Sequence, residues 1–228
     1  MSTPAISVVI PVYNGADYLR ATIASVCAQT LTPCEIILVD DGSTDSTEQI
    51  GRTQPGVRYI RQARAGAGAA RNHGAAIATG ELIAFIDADD LWLPQKLFLQ
   101  ARALQTQPAP DFIFSWIEEF ITPDLAPAEA EKLQPRLEPL TGPSCITLLI
   151  KKHLFIQTGG FPRDLQLGEF IAWYGLCLDQ GLKPLVLPQV LARRRLHANN
   201  QGRSNHHHRS QFAWIAKQAL ERKRHSSV

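Results

Sequence analysis

The feature that most constrains the fold is a repeated alternation of apolar runs and helical patterns. Residues 6–14 and 35–45 each begin with apolar, β-branched residues, close in polar or turn-forming residues, and precede a helical pattern. Residues 81–86 form a third apolar run, of the kind expected of a buried strand. Strands that alternate with helices predict a parallel sheet with helices on its faces. The chain is therefore expected to be an α/β protein that binds its ligands beyond the carboxyl ends of the strands.

The same patterns predict the later elements. The prolines between residues 122 and 143 exclude one regular element, so a long loop is expected there, with room for a short helix around 128–133. A polar hinge at 199–205 and a final amphipathic helix after it are also expected. Predicted helices lie at 17–28, 44–52, 67–78, 94–105 and 169–180, and further strands at 57–61, 111–121, 145–150, 183–187 and 190–196.

Composition limits the classes of partner. The chain has 228 residues and a formal net charge of +2, so no global field favours nucleic acid. Its four cysteines have no C-x-x-C spacing and are interpreted as reduced core residues of a cytosolic protein. No apolar run is long enough to span a bilayer and no signal peptide precedes the first strand, which predicts a cytoplasmic location. The tail helix is expected to pack on the sheet or on a second subunit, although its basic end leaves peripheral membrane contact open.

Three carboxylates follow the strand at 81–86. Asp87, Asp89 and Asp90 repel one another, and burial strengthens that repulsion, so a compensating cation is expected. Oxygen ligands of this kind suit Mg²⁺ or Mn²⁺, ions that usually also hold substrate phosphates. The alternative is a structural role in which Asp89 or Asp90 caps the following helix.

Polar residues also cluster at the ends of the first two strands, which should meet the Asp-rich segment at one sheet edge. Four segments, in this order and spacing, resemble family 2 glycosyltransferases with the GT-A fold. The resemblance covers about the first hundred residues and is looser beyond them. It implies a Rossmann-like, mostly parallel sheet with flanking helices and a C-terminal helical tail. The segments are Val8 to Asn14, Val39 to Asp45, Ala69 to Asn72 and Phe85 to Asp90.

The resemblance implies roles for the nucleotide-binding residues. Residues 1–105 would form the nucleotide-sugar-binding half, residues 106–200 the acceptor-binding and catalytic half of the same domain, and 201–228 the tail. Pro11 and Tyr13 would lie against the base and ribose, and Asp40 would accept the uracil N–H. A carboxylate does accept from an imide donor, and an aromatic ring does stack on a base. For Asp40 the alternative is a helix-capping acid.

Further roles concern the diphosphate. Arg71 would pair with the pyrophosphate, as a guanidinium does, although a solvated arginine is the alternative. Asp87 would lie near the ribose. Asp89 would bind the divalent ion, and His197 resembles a downstream histidine that helps to hold metal or phosphate in some GT-A enzymes. An exposed histidine after an arginine run is the alternative for His197.

The general base is the weakest match to the family. Inverting transfer needs a carboxylate that takes the proton of the acceptor hydroxyl. The family usually supplies it from a Glu-Asp pair, and here Glu169 matches the first acid whereas Phe170 replaces the second. The sequence thus predicts an inverting glycosyltransferase using a UDP-sugar, with Glu169 as base and an unknown hydroxyl acceptor on a glycan, lipid-linked sugar, protein or small molecule. Alternatives are a non-catalytic nucleotide-sugar-binding protein on the same fold and a nucleotidyltransferase.

Overall fold

The structure is a computed structural model that describes residues 4–106, 108–122, 131–165, 167–197 and residue 200. Its centre is an eight-stranded sheet with the order β3-β2-β1-β4-β7-β6-β8-β5. The strands are β1 Ile6–Val12, β2 Glu35–Asp40, β3 Val57–Arg61, β4 Leu82–Phe85, β5 Leu91–Trp92, β6 Phe112–Ile121, β7 Leu149–Lys151 and β8 Pro184–Leu196.

Helices cover both faces of this sheet. All seven residues of β1 are buried because successive side chains enter cores on opposite faces. Val8 and Ile10 pack into one apolar cluster, whereas Val9 packs into the other. The α/β architecture is confirmed. The helices are α1 Leu19–Cys27, α2 Thr47–Thr53, α3 Ala67–Ile77, α4 Lys96–Ala103, α5 Lys152–Gln157 and α6 Glu169–Asp179.

Strand direction brings distant residues to one edge. Strands β1 to β4 are mutually parallel, and β8 runs parallel to β6. Both β4 and β6 pair antiparallel with β7, so β4, β6 and β8 point the same way. The carboxyl ends of β1, β2, β4 and β8 therefore meet at one edge of the sheet.

Several local predictions were wrong. The two strands expected at 183–187 and 190–196 are one strand, β8, whose register skips Pro188 and Gln189 opposite Ser115 and Trp116. A proline cannot donate to a strand ladder, so the chain bulges there and then resumes pairing. The strand expected at 145–150 begins instead as a 3₁₀ turn, Cys145–Thr147.

Other differences concern elements that the patterns did not predict. Helix α5 and the two-residue strand β5 were not expected. Because α4 begins only at Lys96, neither Asp89 nor Asp90 caps it, and that alternative is wrong.

Of the four cysteines, Cys27 and Cys34 are exposed and not in the core. Part of the long loop and the whole tail, with His206–His208, lie outside the described residues. Of the helix expected near 128–133, only residues 131–133 are described, and these are not helical.

Candidate active site

A buried arginine lies at the centre of this edge. Arg71, on α3, donates from Nη2 to Asp87 Oδ1 at 2.5 Å and from Nη1 to Glu169 Oε1 at 2.7 Å. Only 6% of its side chain is exposed. Burial alone would lower the pKa of Arg71, but the charges of Asp87 and Glu169 outweigh burial and hold it well above its ordinary value. Arg71 is thus a fixed cation, and its Nε has no hydrogen-bond partner among the described residues.

The small residues of α3 allow this close arrangement. A Cβ atom at Gly68 would lie 3.1 Å from Glu169 Cγ, so glycine lets the start of α6 approach the start of α3. Asn72 then fixes the loop before α6, because its side chain donates to Phe161 O at 2.7 Å and accepts from Phe161 N at 2.9 Å. The Ala- and Gly-rich sequence that predicted a helix at 67–78 therefore also determines which carboxylates reach Arg71.

Asp89 has a different set of partners, all from the end of β8. Its Oδ2 lies 2.9 Å from His197 Nε2 and 3.4 Å from Asn200 Nδ2. Asn200 also holds the histidine backbone, because its Oδ1 accepts from His197 N at 2.7 Å. The His197 ring packs against Tyr18, with 4.8 Å between ring centroids. The structure thus brings together two predicted metal ligands, Asp89 and His197, and adds Asn200, which the sequence reasoning missed.

Arg195 joins the end of β8 to the Asp-rich turn. Its Nε donates to Asp89 O at 2.8 Å, and its backbone N–H donates to Asp90 Oδ1 at 2.9 Å. The guanidinium lies between the rings of Tyr18 and Phe120, 4.7 and 4.6 Å from their centroids. Burial, together with the charges of Asp89 and Asp87, raises the pKa of Asp90 well above its ordinary value. Asp90 is therefore an anchor for β8, not a third exposed ligand.

The acid that ends β2 is bonded to neutral donors. Asp40 is fully buried, and its two oxygens accept from Ser43 N at 2.7 Å and from Tyr59 Oη at 2.6 Å. Burial and this bond to Asp40 raise the pKa of Tyr59. The bond to Ser43 N holds the turn after β2, but Asp40 does not cap a helix, because α2 begins at Thr47 after Ser46. Contact between Asp40 and a uracil ring stays a prediction.

The residues after β1 line the same edge. Pro11 is buried within β1, opposite Val39, whereas Tyr13 is half-buried beyond the strand end. Asn14 has φ +50°, and its backbone N–H donates to Ser43 Oγ at 2.9 Å. Its side-chain Oδ1 accepts from Thr44 N at 2.8 Å. The loops after β1 and β2 are thus bonded to each other, which places Tyr13 beside the Asp40 turn.

Residues 7–153 match the family model described as glycosyl transferase family 2. The chain belongs to glycosyl transferase family 2. An uncharacterized glycosyltransferase of Rickettsia typhi is 36% identical over 178 residues, which cover 72% of this chain and 55% of the relative. The uncharacterized glycosyltransferase YibD of Escherichia coli is 47% identical over 93 residues, 39% of this chain and 27% of YibD.

Solved structures confirm the fold. The crystal structure of S. aureus TarS 1-349 in complex with UDP-GlcNAc superposes with a TM-score of 0.75 at 21% identity, covering 96% of this chain and 66% of that one. This likeness confirms the GT-A fold expected from the first hundred residues. The chain spans between about a quarter and a little over half of the length of the first curated relatives it matches. No helix in the described part of the chain is both long and apolar enough to cross a membrane.

The family's acidic pair is incomplete in space as well as in sequence. The Phe170 ring packs among aromatic side chains, 5.9 Å from Phe114 and stacked 6.0 Å from Tyr174. Glu169 is the first residue of α6, and it is buried against Arg71. Glu169 therefore pairs with Arg71, whereas Phe170 belongs to an aromatic cluster.

The donor set at Asp89 fits a hard divalent ion bound together with substrate. No group of three or more His, Cys, Asp or Glu side chains among the described residues is arranged to hold a metal by itself. Mg²⁺ is commonly bound by one or two protein ligands plus substrate phosphates, and a carboxylate with an imidazole nitrogen meets that need. The pair Asp89 and His197, already within 2.9 Å of each other, is thus suited to share such an ion.

Proposed function

We propose that this chain is an inverting glycosyltransferase that moves a sugar from a nucleotide-diphospho-sugar, with UDP as the nucleotide, to a hydroxyl acceptor. The observation that carries the proposal is the buried Arg71, held between Asp87 and Glu169 beside the Asp89–His197 pair. This arrangement puts a fixed cation, a candidate metal pair and a candidate base at one sheet edge. Family membership and the UDP-GlcNAc complex of the TarS structure support the choice of donor.

The donor half would bind and orient the leaving group. Arg71 is preorganised because two carboxylates already fix its guanidinium, so little reorganisation is needed when a diphosphate binds nearby. Asp89 and His197 would hold Mg²⁺ or Mn²⁺, and Asp87 would lie near the ribose. Such an ion neutralises the charge that develops on a departing nucleoside diphosphate.

Glu169 would serve as the general base. Arg71 binds its Oε1, so Oε2 would accept the proton of the acceptor hydroxyl. The hydroxyl oxygen then forms the new bond to the anomeric carbon while the bond from that carbon to the phosphate oxygen breaks. The nucleoside diphosphate leaves with that electron pair, and the configuration at the anomeric carbon inverts.

A second candidate is a protein of the same family that binds nucleotide-sugar but transfers nothing. The packing of Phe170 favours it, because the second acid of the family's pair is replaced by a partly buried ring that packs among other rings. The pairing of Glu169 with Arg71 favours it too, because the guanidinium already occupies one of the two carboxylate oxygens.

Ligand-dependent thermal unfolding tests the donor site. The midpoint is measured with UDP, other nucleoside diphosphates and UDP-GlcNAc, each with and without Mn²⁺, because a ligand that binds the folded state raises it. We expect a Mn²⁺-dependent rise with UDP that Asp89→Ala abolishes. No rise with any nucleotide would contradict the proposal.

Glu169→Gln separates the two candidates. If Glu169 is the base, turnover of UDP-sugar falls by about 10²- to 10⁴-fold while UDP binding is retained, because glutamine keeps the hydrogen bond to Arg71 but cannot take a proton. Glu81→Gln is the matched control, since Glu81 is exposed and precedes β4 at the opposite edge of the sheet. Equal turnover in parent and Glu169→Gln would exclude Glu169 as base, whereas UDP-sugar binding by a parent without turnover would favour the binding protein.

A further inference from the structure

A fully buried lysine begins α4. Lys96 Nζ donates to Gln100 Oε1 at 2.8 Å and lies 3.9 Å from the centroid of the Trp92 ring. Among the described residues, no carboxylate forms an ion pair with Lys96. Burial lowers the pKa of Lys96 well below its ordinary value, because a charged amine is costly in an apolar interior. An apolar side chain of the same length would fill this space at lower cost, so the amine calls for a specific reason.

Both partners of Lys96 bind the same backbone turn. Trp92 Nε1 donates to Ile146 O at 2.8 Å, and Gln100 Nε2 donates to Thr147 O at 2.6 Å. Gln100 can give its amide nitrogen to Thr147 because the amine of Lys96, which is a donor, takes its amide oxygen. Lys96 therefore fixes the orientation of the Gln100 amide and packs on the ring that holds Ile146.

The turn lies at the sheet edge that carries the candidate site. Strand β7 pairs antiparallel with β4, and Leu149 lies opposite Ala84. The residues just before β7 are therefore beyond the carboxyl end of β4, where the segment with Asp87 begins. These residues are the 3₁₀ turn Cys145–Thr147.

Cys145 is the side chain of this turn that faces the charged cluster. Burial raises the pKa of its thiol to about 12, and the charges of Arg71, Asp87 and Glu169 also act on that pKa. The charge of Lys96 acts on it as well. Cys145 is thus a neutral group within electrostatic reach of both the buried lysine and the candidate catalytic residues.

We infer that Lys96 is a positioning residue for the donor sugar, because it holds in place the turn Cys145–Thr147 that this sugar contacts. The inference rests on the proposed function, in which the diphosphate lies near Arg71 and the acceptor hydroxyl near Glu169. The sugar joins these two groups during transfer, and both residues are within electrostatic reach of Cys145. Lys96 does not touch the sugar and acts through Gln100 and Trp92.

Labelling of Cys145 in the full-length parent tests whether the sugar lies on the turn. Cys145 is buried and reacts with a thiol reagent only when the turn opens, whereas Cys27 and Cys34 are exposed. Mass spectrometry of the labelled peptides separates the three. Labelling is timed with Mn²⁺ and saturating UDP, UDP-glucose, UDP-galactose or UDP-GlcNAc. We expect the UDP-sugar that binds most tightly to slow labelling of Cys145 about fivefold more than UDP does. Equal protection by UDP and by all three UDP-sugars would overturn the inference.

Three variants test the role of Lys96 itself. Lys96→Met keeps the length of the side chain without the amine, Gln100→Met removes the bond to Thr147, and the third variant combines both. Binding of UDP and of the tightest UDP-sugar is measured with Mn²⁺. In each single variant we expect UDP affinity to change less than about twofold and UDP-sugar affinity to fall about five- to tenfold. The double variant should lose little more than Lys96→Met alone, because both residues act on one turn.

Gln29→Met is the matched control. Gln29 is also buried, but it bonds to Leu93 O and Leu97 N around the start of α4 rather than to the turn. Its substitution removes comparable hydrogen bonds from the same region. We expect it to leave the affinities for UDP and for the UDP-sugar in their original ratio.

Four results with the variants would overturn the inference. Equal weakening of UDP and UDP-sugar binding would show a general loss of structure, and the same selective loss in Gln29→Met would show that the effect is not specific to the turn. Additive losses in the double variant would show that Lys96 does not act through Gln100. Unchanged binding of both ligands would give Lys96 no role. If Lys96→Met does not fold, the labelling of the parent still decides. A parent that binds neither UDP nor any UDP-sugar would refute the proposed function as well, and that outcome differs from all the others.

Discussion

Two acidic segments lie at the same edge of the sheet, but their carboxylates have different kinds of hydrogen-bond partner. Asp40 and Asp41, at the end of β2, accept from neutral donors such as Ser43 N, Tyr59 Oη and Ala65 N. The acids after β4 meet cationic or titratable groups, for Asp87 pairs with Arg71 and Asp89 with His197.

This difference distinguishes carboxylates that stabilise the fold from carboxylates that are suited to bind a ligand. A buried carboxylate that accepts two or three neutral hydrogen bonds is fully satisfied, so its removal leaves unpaired donors inside the protein. A partly exposed carboxylate beside a guanidinium or an imidazole can exchange that partner for a metal ion or make room for a phosphate. Asp41 is buried, whereas 29% of the Asp89 side chain and 37% of the Asp87 side chain are exposed. Asp41 therefore shapes the edge, whereas Asp87 and Asp89 are suited to bind.

The sharpest test of this comparison is a pair of identical substitutions. Asp41→Asn places an amide NH₂ against the backbone donors of Ala65 or Gly66, and we expect it to lower the free energy of unfolding by about 2 to 3 kcal/mol. Asp89→Asn should lower it by less than about 1 kcal/mol, because its oxygen is partly exposed and still accepts from His197. Urea unfolding of both variants measures the difference, and equal losses would break the comparison.

A smaller effect is expected at the metal pair. His197→Gln should raise the Mn²⁺ concentration needed for half-maximal UDP binding by about tenfold, because one of the two proposed ligands loses its imidazole nitrogen. The stability without metal should change little. His153→Gln is the control, since His153 is exposed on α5. The measurement is a Mn²⁺ titration of UDP binding by the parent and the variant. An unchanged midpoint in His197→Gln would show that His197 is not a metal ligand.

The smallest effect is a dependence on pH at Asp90. Because burial raises its pKa above 3.8 in the folded state, the folded protein holds more protons than the unfolded chain between the two pKa values. The parent's free energy of unfolding should therefore fall as pH rises through that window, and Asp90→Asn should lack this fall. The variant should gain stability relative to the parent as pH rises above the ordinary carboxyl pKa of 3.8, measured by urea unfolding with a metal chelator. Asp17→Asn, at an exposed position, should show no such gain.

Local patterns were enough to predict most of the first half. Hydrophobic periodicity correctly predicted strands β1, β2 and β4 and the Ala- and Gly-rich helix α3. It could do so because the burial of each of these elements follows from the pattern of its own residues. Polar residues that follow such runs could be assigned to one edge, since parallel strands share their direction. The family resemblance came from these same segments.

Partnership between distant residues could not be predicted in this way. Glu169 meets Arg71 across 98 positions, and His197 meets Asp89 across 108. Sequence reasoning also overlooked Arg195 and Asn200, whose environments depend on segments packed from elsewhere in the chain.

The sequence by itself determined strands β1 to β4, the helices of the first half and the edge at which polar residues gather, because hydrophobic periodicity is local. Only the tertiary structure decided which carboxylates are satisfied by neutral donors and which lie beside a cation. That outcome depends on β8 running parallel to β6, which delivers Arg195 and His197 to the acids after β4. A carboxylate's chemistry follows from the groups around it, and those groups come from distant parts of the chain.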